Sequence, residues 1–338
     1  MTEDKISVIV ATYNQETTIG RTLDSIIMQQ CHLPIEIVIG EDCSTDSTRA
    51  ICEDYAQRYP QVVRLMPKAP NKGMIRNYYD CLLACRGKYI ADCAGDDFWT
   101  DKEKLEKESR IMEKNRNVVL VHTNWSFYNE DTHKTTQNTY IPFPAPITPG
   151  KEIIESVITQ TKAPVVHTCT SLYRADVIKK CYYEDPDLFS NPDNGCEDLQ
   201  LVCMLAANGD VAYLPDDTLN YSVGHPSVSC QPDERKQFRF VIRTTRLSIR
   251  LAKMFGIDTE NTRKFFSDKA FALLMHAFRS HDKALKEEAE DFMREYKIKE
   301  SLKTKAAIAV MSNGITWNIL LFARQIFCSI KNFTQTSK

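Results

Sequence analysis

Asp96 and Asp97 stand side by side after Gly95, at the end of the apolar run YIADCAGDDFW, Tyr89–Trp99. Adjacent carboxylates repel each other, so a strand end that crowds them calls for a cation or a proton. A divalent cation such as Mg2+ prefers oxygen donors and is often shared between one or two carboxylates and substrate phosphates. Asp96 and Asp97 in a turn suit that chemistry; the blander account is a solvated Asp-Asp turn ahead of Trp99. Asp42 ends the run IEIVIGED, where an acid can accept hydrogen bonds from a base or a ribose or simply cap the helix that follows. Glu197 and Asp198 open CEDLQL. There they complement a helix dipole, and a carboxylate facing a crevice can also take a proton from a hydroxyl. His225, in the loop YSVGHPSVS, matters only if that loop folds over the crevice. Neither G-x-G-x-x-G nor G-x-x-x-x-G-K-[ST] occurs, which excludes the usual dinucleotide and P-loop phosphate cradles.

Elements must bring these groups together. ISVIVA, Ile6–Ala11, is a β-branched run expected to be a buried parallel strand. Ile19, Leu23, Ile26 and Ile27 then recur at helical spacing. IEIVIGED predicts a second strand, with Ser44 and Thr45 as N-caps of the next helix. VVRLM predicts a third strand, and NKGMIRNYYDCLLACRG a helix closed by Gly87 at C′. Strands alternating with helices predict an α/β fold with a mostly parallel sheet flanked by helices. Ligands of such sheets bind beyond the carboxyl ends of the strands, so Thr12-Tyr13-Asn14, Glu41-Asp42 and Gly95-Asp96-Asp97 should line one crevice. VVLVHTNWSFY and VAYLPDDTLNY read as further strands, VVHTCTSLYRADVI as strand then helix, and CEDLQLVCMLAANG as an amphipathic helix stopped by Gly209. From Asp233 the pattern becomes purely helical, which divides the chain into 1–232 and 233–338.

The bulk properties agree. The chain has 338 residues, 43% hydrophobic and 26% charged, enough for a sizeable core. A formal net charge of -2 offers no global field for nucleic acid. The 12 cysteines include no C-x-x-C pair and sit mostly on apolar faces, as expected in a reducing compartment. The N-terminus has no signal-peptide pattern, and no run approaches the ~18 apolar residues of a membrane span. A cytoplasmic enzyme is the expectation.

Six segments, taken in order, resemble the family-two glycosyltransferases of the GT-A (Rossmann-like) fold, common in bacterial surface-polysaccharide synthesis. They are SVIVATYNQETTIGRTLDSI, IEIVIGEDCSTDST, NKGMIRNYYDCLLACRGKYIADCAGDDFW, HTCTSLYRADVI, CEDLQL and YSVGHPSVS, and the resemblance covers about Ile6 to Ser229. It implies an inverting, metal-dependent hexosyltransferase that uses a nucleoside-diphosphate sugar, most often a UDP-sugar, and a glycan or lipid-linked acceptor. It places Thr12, Tyr13, Asn14, Asp42, Asn71, Arg76, Asn77 and Asp96 around the nucleotide. Asp96, with Asp97 and His225, would hold Mn2+ or Mg2+, and Asp198, with Glu197 beside it, would be the catalytic base. Such a metal stabilises the charge developing on the leaving diphosphate. A nucleotidyltransferase, or a nucleotide-sugar-binding protein without activity, remains as an alternative; the first would want a glycine-rich basic loop after strand one, which ATYNQETTIG does not supply.

The family's metal turn usually opens with Asp or Glu, and Ala94 stands there. Asp92 lies ~6.6 Å deeper on the same strand face at ~3.3 Å per residue, so it could at most orient a metal-bound water. Near the C-terminus, Arg235, Arg239, Arg243, Arg246, Arg250 and Lys253 form a basic stripe, and Ile308, Met311, Ile315, Ile319, Phe322, Ile326 and Ile330 an apolar one. Ordinary solvated and core-facing helices explain both. The sharper expectation is peripheral docking on the anionic inner face of the cell membrane.

Overall fold

A computed structural model describes residues 3–139, 143, 145–160, 165–224 and 231–336. His225 and the loop after it lie outside the described residues. The chain divides into two compact units, Met1–His225 and Pro226–Lys338.

In the first unit the elements run β1 (Glu3–Thr12), α1 (Ile19–Ile27), β2 (Ile35–Glu41), α2 (Thr48–Arg58), β3 (Val63–Leu65), α3 (Met74–Ala84) and β4 (Gly87–Asp92). They continue with β5 (Phe98–Trp99), α4 (Lys104–Lys114), β6 (Val118–Asn129), β7 (Lys134–Gln137), β8 (Ile147–Pro149) and α5 (Gly150–Thr159). Last come β9 (Ser171–Arg174), α6 (Ala175–Glu184), α7 (Pro186–Ser190), α8 (Asp198–Asn208) and β10 (Asp210–Val223). One sheet has the order β3-β2-β1-β4-β9-β6-β10-β5, with β7 on β6 and β8 on β10. The two longest ladders, β1 with β2 and β6 with β10, are parallel, as are β1 with β4 and β2 with β3. The sheet is nevertheless mixed: β9 enters antiparallel between β4 and β6. The β-branched centre of β1 is fully buried because helices cover both faces: Ile6, Val8 and Val10 pack with Ile19, Leu23 and Ile26 of α1.

Three local expectations are corrected. Ser44 and Thr45 do not cap α2, which begins later, at Thr48. The Ser44 hydroxyl accepts from the Asn14 amide, and Asp46 takes the Thr48 amide at 3.0 Å. The helix Asp198–Asn208 is not amphipathic, since Leu199, Gln200, Leu201, Val202, Cys203, Leu205 and Ala206 are all buried. Gly87 is not a helix C′ residue but the first residue of β4, following an extended Cys85 (φ -58°, ψ 136°). Its smallness serves the β1 contact: a Cβ there would lie 2.7 Å from both the Lys5 carbonyl oxygen and the Ser7 amide nitrogen.

The second unit contains α9 (Glu234–Met254), α10 (Glu260–Ser280), α11 (Lys283–Glu295), α12 (Leu302–Ser312) and α13 (Gly314–Thr336). Phe238 and Ile242 of α9 pack with Leu273 and Leu274 of α10, Phe292 of α11 and Trp317 of α13. The basic stripe on α9 faces a neighbour: Arg235 pairs with Asp282 at 2.8 Å, Arg239 with Glu288 at 2.5 Å, and Arg246 with Glu295 at 3.9 Å. Arg235, Arg239 and Arg246 thus meet acids at the start of, and along, α11 while their side chains stay exposed. On α13 the apolar stripe divides. Trp317 is buried there, as is Met311 of α12, whereas Ile315, Ile319 and Phe322 are exposed. Among the described residues no single helix is long and apolar enough to cross a membrane; Leu302–Ser312 and Gly314–Arg324 meet that test only as a pair bent by 108°.

The Gly87 contact yields a prediction. Gly87→Ala and Gly87→Asn should both lower stability by about 1–3 kcal/mol through overpacking, seen as a lower melting temperature. At a left-handed helix C′, Asn would have been tolerated, so thermal unfolding that spares Gly87→Asn would restore the helix-cap reading.

Candidate active site

The carboxyl ends of β2, β1 and β4 lie next to each other in the sheet, and the loops that leave them are tied together. The Asn14 side chain accepts from the Thr45 amide at 2.8 Å, and Asn14 itself sits in the left-handed region (φ 52°), which asparagine tolerates. The Gln15 amide donates to the Thr48 hydroxyl, and the Glu16 amide to Asp46. Thr12 is buried and donates to the Gln15 side chain at 2.7 Å, while Tyr13 is 47% exposed beside it. Asn14 thus pins the two loops together.

Asp42 is buried. Its two carboxylate oxygens accept from the Lys72 and Gly73 amides, each at 2.9 Å, and its carbonyl accepts from the Asn71 side chain at 2.8 Å. Gly73, at φ 82°, makes that approach possible where an L side chain would strain. A carboxylate has about four acceptor positions, so Asp42 holds the Asn71–Gly73 loop and keeps capacity for a ligand. Arg76 is exposed on the first turn of α3, without a hydrogen-bond or ion-pair partner among the described residues. Asn77 departs from expectation. It is buried on the opposite side of that turn, with its amide spent on the Gly40 carbonyl at 2.6 Å, and it is a strut between α3 and β2 rather than a group open to the cleft.

The Asp-Asp turn is the most constrained part. A Cβ on Gly95 would lie 2.4 Å from the Gln15 side chain and 2.7 Å from the Thr12 hydroxyl, so only glycine lets the turn sit on the end of β1. Asp96 is half-buried, and its carbonyl accepts from Arg21 at 3.1 Å and from the Ser222 hydroxyl at 2.5 Å. Asp97 is 1% exposed. One of its oxygens accepts the Ser222 amide at 2.9 Å, and the other, buried, has no partner. Burial, and then the charge of Asp96, push the Asp97 carboxyl well above the usual range. A buried acceptor lacking a donor, beside a second acid, is a donor set suited to a hard divalent cation. Asp96 and Asp97 therefore fit a metal. Ala94 adds nothing to that set: its side chain packs against the apolar core, and its amide donates to the Cys169 sulfur.

One further group escaped the sequence analysis, and one takes a different place from that expected. Arg21 of α1 reaches the turn, donates to Glu130 at 2.6 Å and to the Ser222 hydroxyl at 3.3 Å, and lies over the Phe98 and Tyr128 rings at 4.1 and 5.0 Å. Nothing in its spacing marks it out. Asp92, expected at most to orient a metal-bound water, is instead buried between two tyrosines: Tyr78 donates to it at 3.1 Å and Tyr173 at 3.0 Å. Burial raises its carboxyl to about 7.

Behind Asp92 lies the second acidic pair. Glu197 stands at the N-cap position of α8 without a side-chain cap bond, and Asp198 is the first residue of that helix; Tyr79 of α3 donates to the Glu197 carbonyl at 2.6 Å. Burial, then the Asp198 charge, and more weakly Asp92, raise Glu197 to about 8. Asp198 lines a small cavity of about 30 Å³ with Ser156, Gln160, Val165 and Val202. The fold thus assembles Thr12, Tyr13, Asp42, Asn71, Asp96 and Asp97 on adjoining loops, with Glu197 and Asp198 on the α3 side of β4.

That fold is a mixed, mostly parallel α/β sheet domain with acidic loops at one sheet edge, and its family follows from its relatives. The model of glycosyl transferase family 2 matches residues 7–182, and the chain belongs to that family. It is 32% identical over 126 residues to the putative teichuronic acid biosynthesis glycosyltransferase TuaG of Bacillus subtilis, covering 37% of this chain and 48% of TuaG. The matched segment spans between 33% and 48% of the length of the first five curated relatives. Two solved structures share the fold. One is S. aureus TarS 1–349 in complex with UDP-GlcNAc, at a TM-score of 0.54 and 18% identity, covering 86% of this chain and 92% of that one. The other is the mannosyltransferase PcManGT of Pyrobaculum calidifontis with GDP-Man and Mn2+, at 0.51 and 14%, covering 95% and 88%.

A raised acid makes stability depend on pH. Between pH 4 and 7 the unfolded chain has ionised Asp92 while the folded chain keeps its proton, so stability falls as pH rises. Asp92→Asn removes this loss. Its stability relative to wild type should climb from pH 4 to 7, by at most about 1.4 kcal/mol for each step of one in pH, and then level off. Thermal unfolding of both proteins across that range checks it; a difference that is flat in pH would contradict a protonated Asp92.

Proposed function

We propose that the protein transfers a sugar from a nucleoside-diphosphate sugar to an acceptor hydroxyl, with inversion, in the synthesis of a cell-surface polysaccharide or glycolipid. The observation that carries this reading is the pairing of two acidic sites on one family-2 fold. Asp96 and Asp97 lie at the end of β4 with an unsatisfied buried oxygen, and Glu197 and Asp198 lie at the start of α8. TuaG supports the polymer class by its name, and the UDP-GlcNAc and GDP-Man complexes of TarS and PcManGT support a nucleotide-sugar donor.

In this reading Asp42 and the Asn71–Gly73 loop hold the nucleoside, with Thr12 and Tyr13 lining it and Asn14 fixing the loops. Arg76, exposed and cationic, lies toward the phosphates. Asp96 is the direct ligand of a divalent cation, and Asp97, anchored by the Ser222 amide, offers its second oxygen. Such a cation, when bound, stabilises charge on the departing diphosphate. Asp198 takes the acceptor's proton as the acceptor oxygen bonds to the anomeric carbon and the carbon–phosphate-oxygen bond breaks. A single displacement of this kind inverts the centre, by the geometry familiar from glycoside hydrolysis. Glu197, whose carboxyl is pushed up to about 8 by burial and then by the Asp198 charge, stands beside that base. The His225 contribution to the metal belongs to the same proposal. Peripheral contact with an anionic membrane belongs to the same proposal and draws on the α9 basic stripe and the exposed Ile315, Ile319 and Phe322 of α13.

Release of nucleoside diphosphate from donor and acceptor tests this directly. Asp198→Asn should lower turnover ~10²–10⁴-fold while thermal stabilisation by the nucleotide persists. Asp96→Asn should lose turnover and metal-dependent nucleotide stabilisation together. Near-wild-type turnover in Asp198→Asn would remove that residue from the mechanism.

A further inference from the structure

Away from the cleft, the segment after α1 meets the outer face of α4. Gln30 donates its amide to the Lys102 carbonyl at 2.7 Å, the Gln29 side chain donates to the Asp101 carbonyl at 2.7 Å, and the Leu105 amide donates back to Gln29 at 3.2 Å. These bonds hold the next two residues, Cys31 and His32, against Glu106, Ser109 and Glu113. The Cys31 sulfur, a His32 ring nitrogen and a Glu106 carboxylate oxygen all lie within 4.8 Å of one another. His32 Nδ1 is 2.5 Å from Glu106 Oε2, and His32 Nε2 is 3.1 Å from Glu113 Oε1. Arg110 holds the other Glu106 oxygen at 2.9 Å.

We propose that Cys31, His32 and Glu106 form a second metal site for a borderline-soft divalent ion of the Zn2+ class, with solvent in the fourth position. The donor set is the first ground. Thiolate, imidazole and carboxylate together suit Zn2+ or Co2+ and are a poor match for Mg2+ or Ca2+, which want oxygen alone. The second ground is what surrounds the donors. A metal-bound histidine almost always gives its other ring N–H to a carboxylate, which fixes the tautomer and the ring plane, and Glu113 stands at that nitrogen. The third is preorganisation, since the Gln29 and Gln30 bonds to Asp101, Lys102 and Leu105, at and just before the start of α4, hold the donors on opposite elements at short range without any metal. Bonds of ~2.0–2.2 Å to nitrogen and oxygen require Nδ1 and Oε2 to part by about 1 Å, within reach of the half-exposed Glu106 side chain. Binding displaces the thiol proton and any proton on Nδ1. The site would staple the loop after α1 to α4, the helix that follows the Asp96-Asp97 turn, and shares no ligand with that turn.

Co2+ titrated into the full chain, reduced and free of chelator, gives the readout. One equivalent should bind and produce a thiolate-to-metal charge-transfer band in the near ultraviolet, which Zn2+ bleaches by displacement. Cys31→Ser should abolish the band, and His32→Asn, an exposed change, should abolish saturable binding. Glu113→Gln should keep the band but weaken affinity about 10–100-fold, and Asp96→Asn should leave it unchanged. Zn2+ should raise the melting temperature of wild type and not of His32→Asn. Absence of a saturable band, a band that survives Cys31→Ser, or equal Zn2+ stabilisation of wild type and His32→Asn would overturn the proposal. His32 would then be only an ion-pair partner of Glu106 and Glu113.

Discussion

The bond from the Ser222 amide to Asp97 joins a buried acid at the end of β4 to the far end of β10, 125 residues away. Around it the Asp96 carbonyl takes both Arg21 and the Ser222 hydroxyl, and the Asp97 carbonyl takes the Thr22 hydroxyl at 2.6 Å. Helix α1, the turn and β10 therefore meet at one pair of adjacent carboxylates. The arrangement keeps an acid where burial opposes its charge. Removing one partner of a buried charged group typically costs several kcal/mol, so the folded chain tolerates this turn only because α1 and β10 surround it with donors. One oxygen of Asp97 still has none. That unmet acceptor links the stability of the fold to the chemistry of the site.

The nucleotide side of the cleft follows the same logic at lower cost. Asp42 spends both oxygens on loop amides, so the residue that would recognise a ligand also builds the loop that frames it. Gly40 and Asn77 close the underside: a Cβ on Gly40 would lie 2.4 Å from the Cys81 sulfur, which lets α3 press onto β2 and brings its first turn beside the loop. On the other side of β4, Asp92, Tyr78 and Tyr173 form a buried network beneath Glu197 and Asp198. Glu197 and Asp92, both raised chiefly by burial, favour their protonated forms.

Much of this was legible in the sequence. Apolar β-branched runs ending in polar residues marked the strands and the edge where ligands bind, and Asp42, Asp96 and Asp198 stood out as acids at element ends. What was not legible depends on partners distant in the chain. The family resemblance set Asn77 beside Arg76 at the nucleotide, but a helix turns about 100° per residue, and only packing decides which neighbour meets the sheet. Gly87 carried the signature of a helix end, while its reason lies in β1, 80 residues earlier. Asp92 was expected at most to orient a metal-bound water, and the two tyrosines that hold it come from α3 and β9. The antiparallel entry of β9 left no trace in periodicity, since a fully buried strand reads alike in either direction.

The central claim is that the Asp96-Asp97 turn awaits a cation that arrives with the nucleotide. Calorimetric binding of UDP with and without Mn2+ tests it most directly, since Mn2+ prefers oxygen donors and avoids thiolates. The account predicts weak Mn2+ binding alone, a sharp mutual gain in affinity when both are present, and loss of that gain in a folded Asp96→Asn protein. UDP affinity that is the same with and without Mn2+, or coupling that survives Asp96→Asn, would contradict it.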